Sequence, residues 1–235
     1  MRQAGGFGTT GIKVKRRIGM NLDQEVNLIN EELEKMFSLT REFLRRSLVY
    51  YLSGEDSKFI PTIDDNQVNA SERNVESWCL SILLKERVYA KDLRRVTGCL
   101  KLVTDIERIG DHARDIKEAA DKIGSLKEQG IDMNVIQPLV DYVLKMYDDS
   151  VRAFVTYDVP LAEEICSHDN EVDDRYSKVL AEVINEAKGN RISAEYAIYT
   201  NLVLKYLERV ADHAVNIAEW TVFIKNGFHK DSVII

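Results

Sequence analysis

From Leu22 onward, the apolar residues of the chain recur at the spacing of an α-helix. In the first such stretch, Leu33, Phe37 and Leu44 are four and seven residues apart, so they line one face of a helix. The Ser53-Gly54 pair that follows is a typical helix stop signal. The pattern therefore predicts a helix over residues 23–52.

The same periodicity continues to the end of the chain and is interrupted only at short polar, glycine or proline positions. Asp92 and Ser193 each stand just before a periodic segment and are good N-cap residues. Helices are accordingly predicted over residues 62–87, 92–124, 134–158, 160–189 and 193–226.

An eight-residue phrase occurs twice in the chain. Residues 106–113 return as residues 207–214, with the Glu, Arg, Asp, His and Ala identical and the other positions small or apolar in both copies. A second pair of matching segments, residues 65–68 and 169–172, lies one predicted helix earlier in each half. The chain is therefore an internal duplication of a three-helix unit.

Three helices joined by short connections are typical of an antiparallel bundle. The expected fold class is all-α, with two tandem antiparallel three-helix bundles related by the duplication and by pseudo-twofold symmetry. The predicted organisation is a flexible, glycine-rich basic arm over residues 1–20, a first bundle over 21–128, a second bundle over 129–228 and a tail over 229–235.

Composition restricts the class of protein. The chain of 235 residues is 45% hydrophobic and 30% charged, which allows a substantial core. Its net charge of -7 argues against nucleic acid as a partner. Three widely spaced cysteines suggest neither a disulfide framework nor a thiolate metal site, and we find no signal peptide or membrane span. A cytoplasmic location is expected.

The arm differs in composition from the rest of the chain. It holds five glycines and the basic cluster Lys13, Lys15, Arg16 and Arg17. Such a segment can contact an acidic partner or anionic lipid head groups, and it can equally be a solvated tail.

The repeated phrase places two carboxylates four residues apart. Projected at about 100° per residue, Glu107 lies within an apolar row and Asp111 lies about 40° from it, beside the small residue Gly110. Glu208 and Asp212 take the same positions in the second copy. Both acidic pairs are therefore predicted at the edge of a packed face.

Carboxylates at such an edge need a compensating group. Asp115 continues the first row by one more turn, while Asn216 takes the matching place in the second. Clusters of carboxylate oxygens suit Mg, Mn or Fe, and two adjacent rows can bridge more than one ion. The alternative is a solvated edge neutralised by neighbouring arginines.

The histidines of the phrase face another way. His112 and His213 project about 140° from their glutamates, which favours a packing or capping role over metal ligation. Arg108 and Arg209 project about 100° away and suit ion pairs with a neighbouring helix.

At these residues the chain resembles the PhoU family. The resemblance rests on the motifs Glu-Arg-Ile-Gly-Asp at 107–111 and Glu-Arg-Val-Ala-Asp at 208–212. The shorter motifs Asp-Leu-Arg at 92–94 and Asn-Ile-Ala-Glu at 216–219 support it. The resemblance covers roughly residues 22–226 and implies the same two bundles. It also implies a multinuclear metal cluster, iron first and otherwise zinc, manganese or magnesium, with these ligands: Glu107, Asp111, Asp115, Glu208 and Asp212.

The resemblance further implies a regulator of phosphate uptake and phosphate-starvation signalling that has no enzymatic activity. Its implied partners are a phosphate ABC transporter ATPase and a sensor histidine kinase, with a homodimer as the assembly and membrane contact through partners only. The alternative function is a PhoU-like accessory domain of another phosphate or ion transporter, without metal.

An enzyme of the di-metal carboxylate class is the rival interpretation. Ferritin-like sites use Glu-x-x-His, but the residues three positions after Glu107 and Glu208 are Gly110 and Ala211. This spacing counts against an oxidase. A helical interaction module without metal remains open.

Overall fold

A computed structural model describes residues 21–54, 65–85, 88–128, 130–167, 169–229 and 232–233. Within this part of the chain there are seven α-helices, one 3-10 turn at Met133–Val135 and a two-stranded hairpin. The bounds are α1 Leu22–Ser53, α2 Asp65–Lys85, α3 Ala90–Leu126, α4 Gln137–Thr156, α5 Val159–Cys166, α6 Asp169–Lys188, α7 Ala194–Asn226, β1 Phe228–His229 and β2 Ser232–Val233. The predicted arm over residues 1–20 lies outside the described residues.

The ends of α1 show how local sequence sets a helix boundary. The Asn21 side chain accepts a hydrogen bond from the Gln24 backbone N–H at 2.9 Å, and the Gln24 side chain accepts one from the Asn21 backbone N–H at 3.1 Å. This reciprocal pair is a capping box. At the other end, Gly54 takes a left-handed φ of 64°, and its N–H bonds to the Tyr50 carbonyl.

The helix predicted over residues 160–189 is divided in two, and that prediction was wrong. Asp158 caps the start as α5 begins, but the chain turns at Ser167 before α6 starts at Asp169. The Ser167 hydroxyl donates to the Glu164 carbonyl at 2.7 Å. The sequence periodicity did not reveal this break, because no proline or glycine lies between Cys166 and Asp169.

The two central helices are α3 and α7, which run antiparallel and share the most extensive helix–helix contact of those described. Gly98 lies beside Ile224, Asp105 beside His213 and His112 beside Tyr206, so residue numbers rise along one helix as they fall along the other. Helices α1 and α2 pack on α3, and α4, α5 and α6 pack on α7. The predicted fold class of two tandem helical bundles is confirmed.

A second contact between the bundles joins α1 to α4. The Tyr147 hydroxyl donates to the Phe37 carbonyl at 2.9 Å and lies 2.6 Å from the Thr40 hydroxyl. Tyr147 is fully buried, and burial raises the pKa of its hydroxyl above its ordinary value. At the surface of this contact, Arg41 forms a bidentate ion pair with Asp148.

The last described residues form structure where a tail was expected. Phe228 and His229 pair antiparallel with Val233 and Ser232. The His229 ring stacks on Trp220 of α7, with ring centroids 3.9 Å apart. This contact holds the hairpin against the end of α7. No helix within the described ranges is both long and apolar enough to cross a membrane.

Candidate functional site

The two copies of the repeated phrase meet along the contact between α3 and α7. The rings of His112 and His213, which occupy equivalent positions in the two copies, have centroids 5.6 Å apart. The prediction that the histidines face away from the glutamates therefore has a structural reason, because they form part of the contact between the bundles.

One side of this contact is a hydrogen-bonded network around Asp105. The carboxylate, which is only 9% exposed, accepts from His213 Nδ1 at 2.8 Å and from Asn216 Nδ2 at 3.0 Å. The Asp105 bond fixes the proton of His213 on Nδ1 and orients the ring. Asn216, which takes the place of Asp115 in the second copy, donates to a carboxylate of the other bundle.

The equivalent side of the contact is built differently. The ring of His112 stacks on Tyr206, with centroids 5.7 Å apart, while His112 Nδ1 is 3.7 Å from an oxygen of Asp115. That distance is too long for a hydrogen bond. Burial, reinforced by the charges of His213 and Arg209, lowers the pKa of His112 to about 4. His112 is therefore neutral at physiological pH.

Asp115, a predicted metal ligand, lies beside His112. Its side chain is 30% exposed, and burial raises the pKa of its carboxyl group, an effect that the charge of Arg114 opposes. It also faces Tyr206. Burial raises the pKa of the Tyr206 hydroxyl, and the negative charge of Asp115 raises it further. Asp115 is thus close to α7 as well as to its own row of acids.

The first carboxylate pair is held by arginines of its own helix. The Asp111 carboxylate accepts hydrogen bonds from Arg114 Nη2 at 2.8 Å and from Arg108 Nη1 at 3.2 Å. Arg108 Nε also lies 3.6 Å from an oxygen of Glu107. The carboxylate side chains are 16% and 19% exposed, which places them at the edge of a packed face as the projection predicted. This geometry matches the alternative of an edge neutralised by arginines.

Gly110 lets three helices meet at this carboxylate pair. A Cβ atom there would lie 3.4 Å from Thr40 of α1 and 3.7 Å from Val68 of α2. Helix α2 also brings Glu72 toward Asp111, and the pKa of Glu72 is raised by burial, by Glu76 and by Asp111. A third carboxylate, that of Glu72, therefore approaches the first pair.

Glu72 and Glu76 were missed in the sequence interpretation. They share the four-residue spacing of the repeated motif and follow the matching segment at residues 65–68. The four-residue spacing could have drawn attention to these glutamates. It does not indicate, however, that this face of α2 lies next to the carboxylate pair of α3.

The second carboxylate pair has a different neighbour. Glu208 forms a close ion pair with Lys205, and its side chain is 16% exposed. The Lys205 ammonium also lies 5.7 Å from the ring centre of Tyr176 on α6. Asp212 is exposed one turn further along. The two carboxylate pairs therefore belong to separate bundles and have different partners.

The described residues include all five predicted metal ligands, and across that part of the chain no three His, Cys, Asp or Glu side chains are arranged to hold a metal ion. In this arrangement Asp111 pairs with Arg108 and Arg114, and Glu208 pairs with Lys205. The metal cluster and its ligands stay a prediction.

Comparison with known proteins gives a consistent result. A family model described as "PhoU domain" matches the chain twice, over residues 33–120 and 136–221. These segments fall within the two predicted bundles. The chain is 26% identical over 212 residues to a protein of Clostridium acetobutylicum named "Phosphate-specific transport system accessory protein PhoU homolog", covering 89% of this chain and 96% of that protein.

Two further similarities cover most of the chain. "Phosphate-specific transport system accessory protein PhoU homolog 1" of Thermotoga maritima is 29% identical over 212 residues, which are 88% of this chain and 90% of that protein. The crystal structure of PhoU from Pseudomonas aeruginosa superimposes with a TM-score of 0.83 at 28% identity, covering 88% of this chain and all of that chain.

Proposed function

The chain belongs to the PhoU family, and on that premise we propose that it is an accessory regulator of a phosphate transport system. The observation that carries the proposal is the match of both bundles to the family model, together with near full-length relatives named as phosphate transport accessory proteins. The proposed role is that of an adaptor, without catalytic activity of its own.

The proposed partners are the ATPase of a phosphate ABC transporter and a sensor histidine kinase, both met in the cytoplasm by a homodimer of this chain. In this proposal, the adaptor holds the phosphate-starvation response off when phosphate is plentiful. Stiff packing supports an adaptor role, since the bundles are joined by the α3–α7 contact and by the buried Tyr147 contact.

Deletion of the gene in its host tests the proposal. We expect phosphate-starvation genes to be expressed in phosphate-rich medium, as measured with a reporter, and we expect the wild-type chain to restore repression. A Glu118→Gln variant, which alters an exposed carboxylate of α3 outside the motif, serves as the complementation control. Unchanged reporter expression after deletion would contradict the regulatory role.

The proposal includes metal binding at the two carboxylate pairs. The cations that now occupy them are movable, because the side chains of Arg108, Arg114 and Lys205 are 56%, 38% and 46% exposed. A metal ion bound at either pair would take over the charge compensation that these cations now give the half-buried carboxylates. Glu72 would add an oxygen ligand to the first site.

Elemental analysis of protein purified without chelator tests whether the carboxylate pairs bind metal. We expect stoichiometric iron, or else zinc, manganese or magnesium, in the native chain. Its loss is expected in the variant Glu107→Gln, Asp111→Asn, Glu208→Gln, Asp212→Asn, but not in Glu118→Gln. Native protein without stoichiometric metal in several growth media would eliminate the metal site and leave the adaptor role intact.

A further inference from the structure

A cleft opens between α4 and α6 of the second bundle. It encloses about 500 Å³, which is within the range of about 300–1,000 Å³ that is typical of small-molecule sites. One wall is apolar and comes from the start of α4 and the 3-10 turn before it, while the other wall is a mainly charged face of α6. The first wall consists of Val135, Pro138 and Leu139, and the second of Glu171, Asp174, Arg175, Lys178 and Val179.

The two cations of this cleft have no hydrogen-bond partner among the described residues. The Arg175 guanidinium is 3.9 Å from an oxygen of Glu171, which is too long for a hydrogen bond, and it lies 4.4 Å from the ring centre of Tyr142. Lys178 is exposed and lies one turn further along α6. Stacking on the Tyr142 ring therefore holds the guanidinium in place while its N–H donors stay free.

The duplication offers a comparison for these two positions. When the matching segments at the starts of α2 and α6 are aligned, Arg175 corresponds to Ser71 and Lys178 corresponds to Asn74. In the first bundle, the Ser71 hydroxyl donates to the Glu32 carboxylate of α1 at 2.7 Å, and Asn74 also lies beside this carboxylate. A carboxylate from the neighbouring helix therefore satisfies this face of α2 and joins it to α1.

The second bundle has no such carboxylate on the facing wall. That wall is apolar, and the two acids of the cleft, Glu171 and Asp174, belong to α6 itself. Both acids are exposed, so they stay hydrated and leave the donors of Arg175 free. Within the described ranges, the chain therefore supplies no acceptor of the kind that Glu32 gives the first bundle, although the second bundle places stronger donors at the same positions.

We propose that this cleft binds a small organic anion, a carboxylate carried on an apolar body. The carboxylate accepts hydrogen bonds from Arg175, whose planar guanidinium matches two carboxylate oxygens, and Lys178 adds a second positive charge. The apolar body packs against the wall formed by α4 and its preceding turn. That wall spans little more than one helical turn, so it is too short to seat a partner helix, which is held by anchors over two turns. This ligand site goes beyond the proposed function, which assigns protein partners and metal only.

Ligand-observed NMR with the full chain tests the proposal. The probe is naphthalene-2-carboxylate, and the uncharged naphthalene-2-carboxamide is its matched control. At physiological salt, we expect the wild type to bind the carboxylate about 10-fold more tightly than the amide, because hydrogen bonds between charged groups are the stronger ones. The cleft variant, Arg175→Gln with Lys178→Gln, should lose this preference. The control variant, Lys188→Gln with Arg191→Gln, removes the same charge from exposed positions beyond the cleft and should keep it.

A second pair of variants tests the same site without removing its cations. Val135→Glu adds a carboxylate to the apolar wall, as Glu32 does in the first bundle, and should weaken binding of the carboxylate probe about 10-fold relative to Val135→Gln. Absence of probe binding by the wild type, or equal affinity for the two probes, would overturn the proposal. Equal affinities in the cleft and control variants would also overturn it. Each of these results leaves the reporter test of the proposed function unaffected.

Discussion

Replacing Gly98 with valine should lower the free energy of unfolding by about 2 kcal/mol. Gly98 lies where α3 crosses α7, and a Cβ atom there would come within 2.3 Å of Ile224 Cγ1 and 2.7 Å of Ile224 Cδ1. Ile224 is only 4% exposed, so its side chain has little space to move into. Valine is a better helix former than glycine by a few tenths of a kcal/mol, which is too little to offset the overlap.

Urea unfolding measures this effect, and α3 supplies its own control. Gly124 lies in the same helix, but a Cβ atom there would meet nothing within 4 Å. Gly124→Ala should therefore raise the free energy of unfolding by about 0.5–1 kcal/mol. If Ile224→Ala fails to relieve part of the Gly98→Val defect, or if Gly98→Val is neutral, the close approach of α3 to α7 is misassigned.

Removal of the Asp105 carboxylate should destabilise the chain by about 2–3 kcal/mol. Asp105→Ala leaves His213 Nδ1 and Asn216 Nδ2 without their shared acceptor in a largely buried contact between the bundles. Hydrogen bonds to a charged group contribute about 1.5–3 kcal/mol each, and two that share one acceptor contribute less than their sum.

A double-mutant cycle with His213→Ala separates the pair interaction from general loss of packing. Asp105→Asn keeps an oxygen acceptor and should lose less than Asp105→Ala. Tyr206→Phe is the control at the equivalent position of the other copy, where ring stacking on His112 carries the contact, and we expect a change below about 0.5 kcal/mol. Additive effects of Asp105→Ala and His213→Ala would show that this bond contributes no coupling.

The sequence predicted those parts of the fold that depend on local periodicity. Helical spacing of apolar residues located α1, α3, α4 and α7 to within a few residues, because one buried face must recur every three to four positions. The repeated phrase predicted the tandem architecture, since two copies of one unit fold alike. It also placed Glu107 at the edge of a packed face, which its 16% exposure bears out.

Features that depend on how helices associate could not be predicted in this way. Helical projection showed that His112 and His213 face away from the acids, but not that they face each other across α3 and α7. Nor does one helix reveal that Glu72 of the next helix lies near Asp111. The break at Ser167 was missed because no proline or glycine lies between Cys166 and Asp169.

The Asp105 network makes the two halves of the chain non-interchangeable. Asp105 corresponds to Tyr206 in the repeat, and Asn216 corresponds to Asp115. If two first halves paired with each other in the same geometry, each Asp105 would face an Asp115 carboxylate in place of an amide, and the contact would be repulsive. If two second halves paired, His213 would meet Tyr206 and lose its carboxylate acceptor. Only the pairing of a first half with a second half gives the Asp105 carboxylate both of its hydrogen-bond donors, so this contact selects for unlike halves.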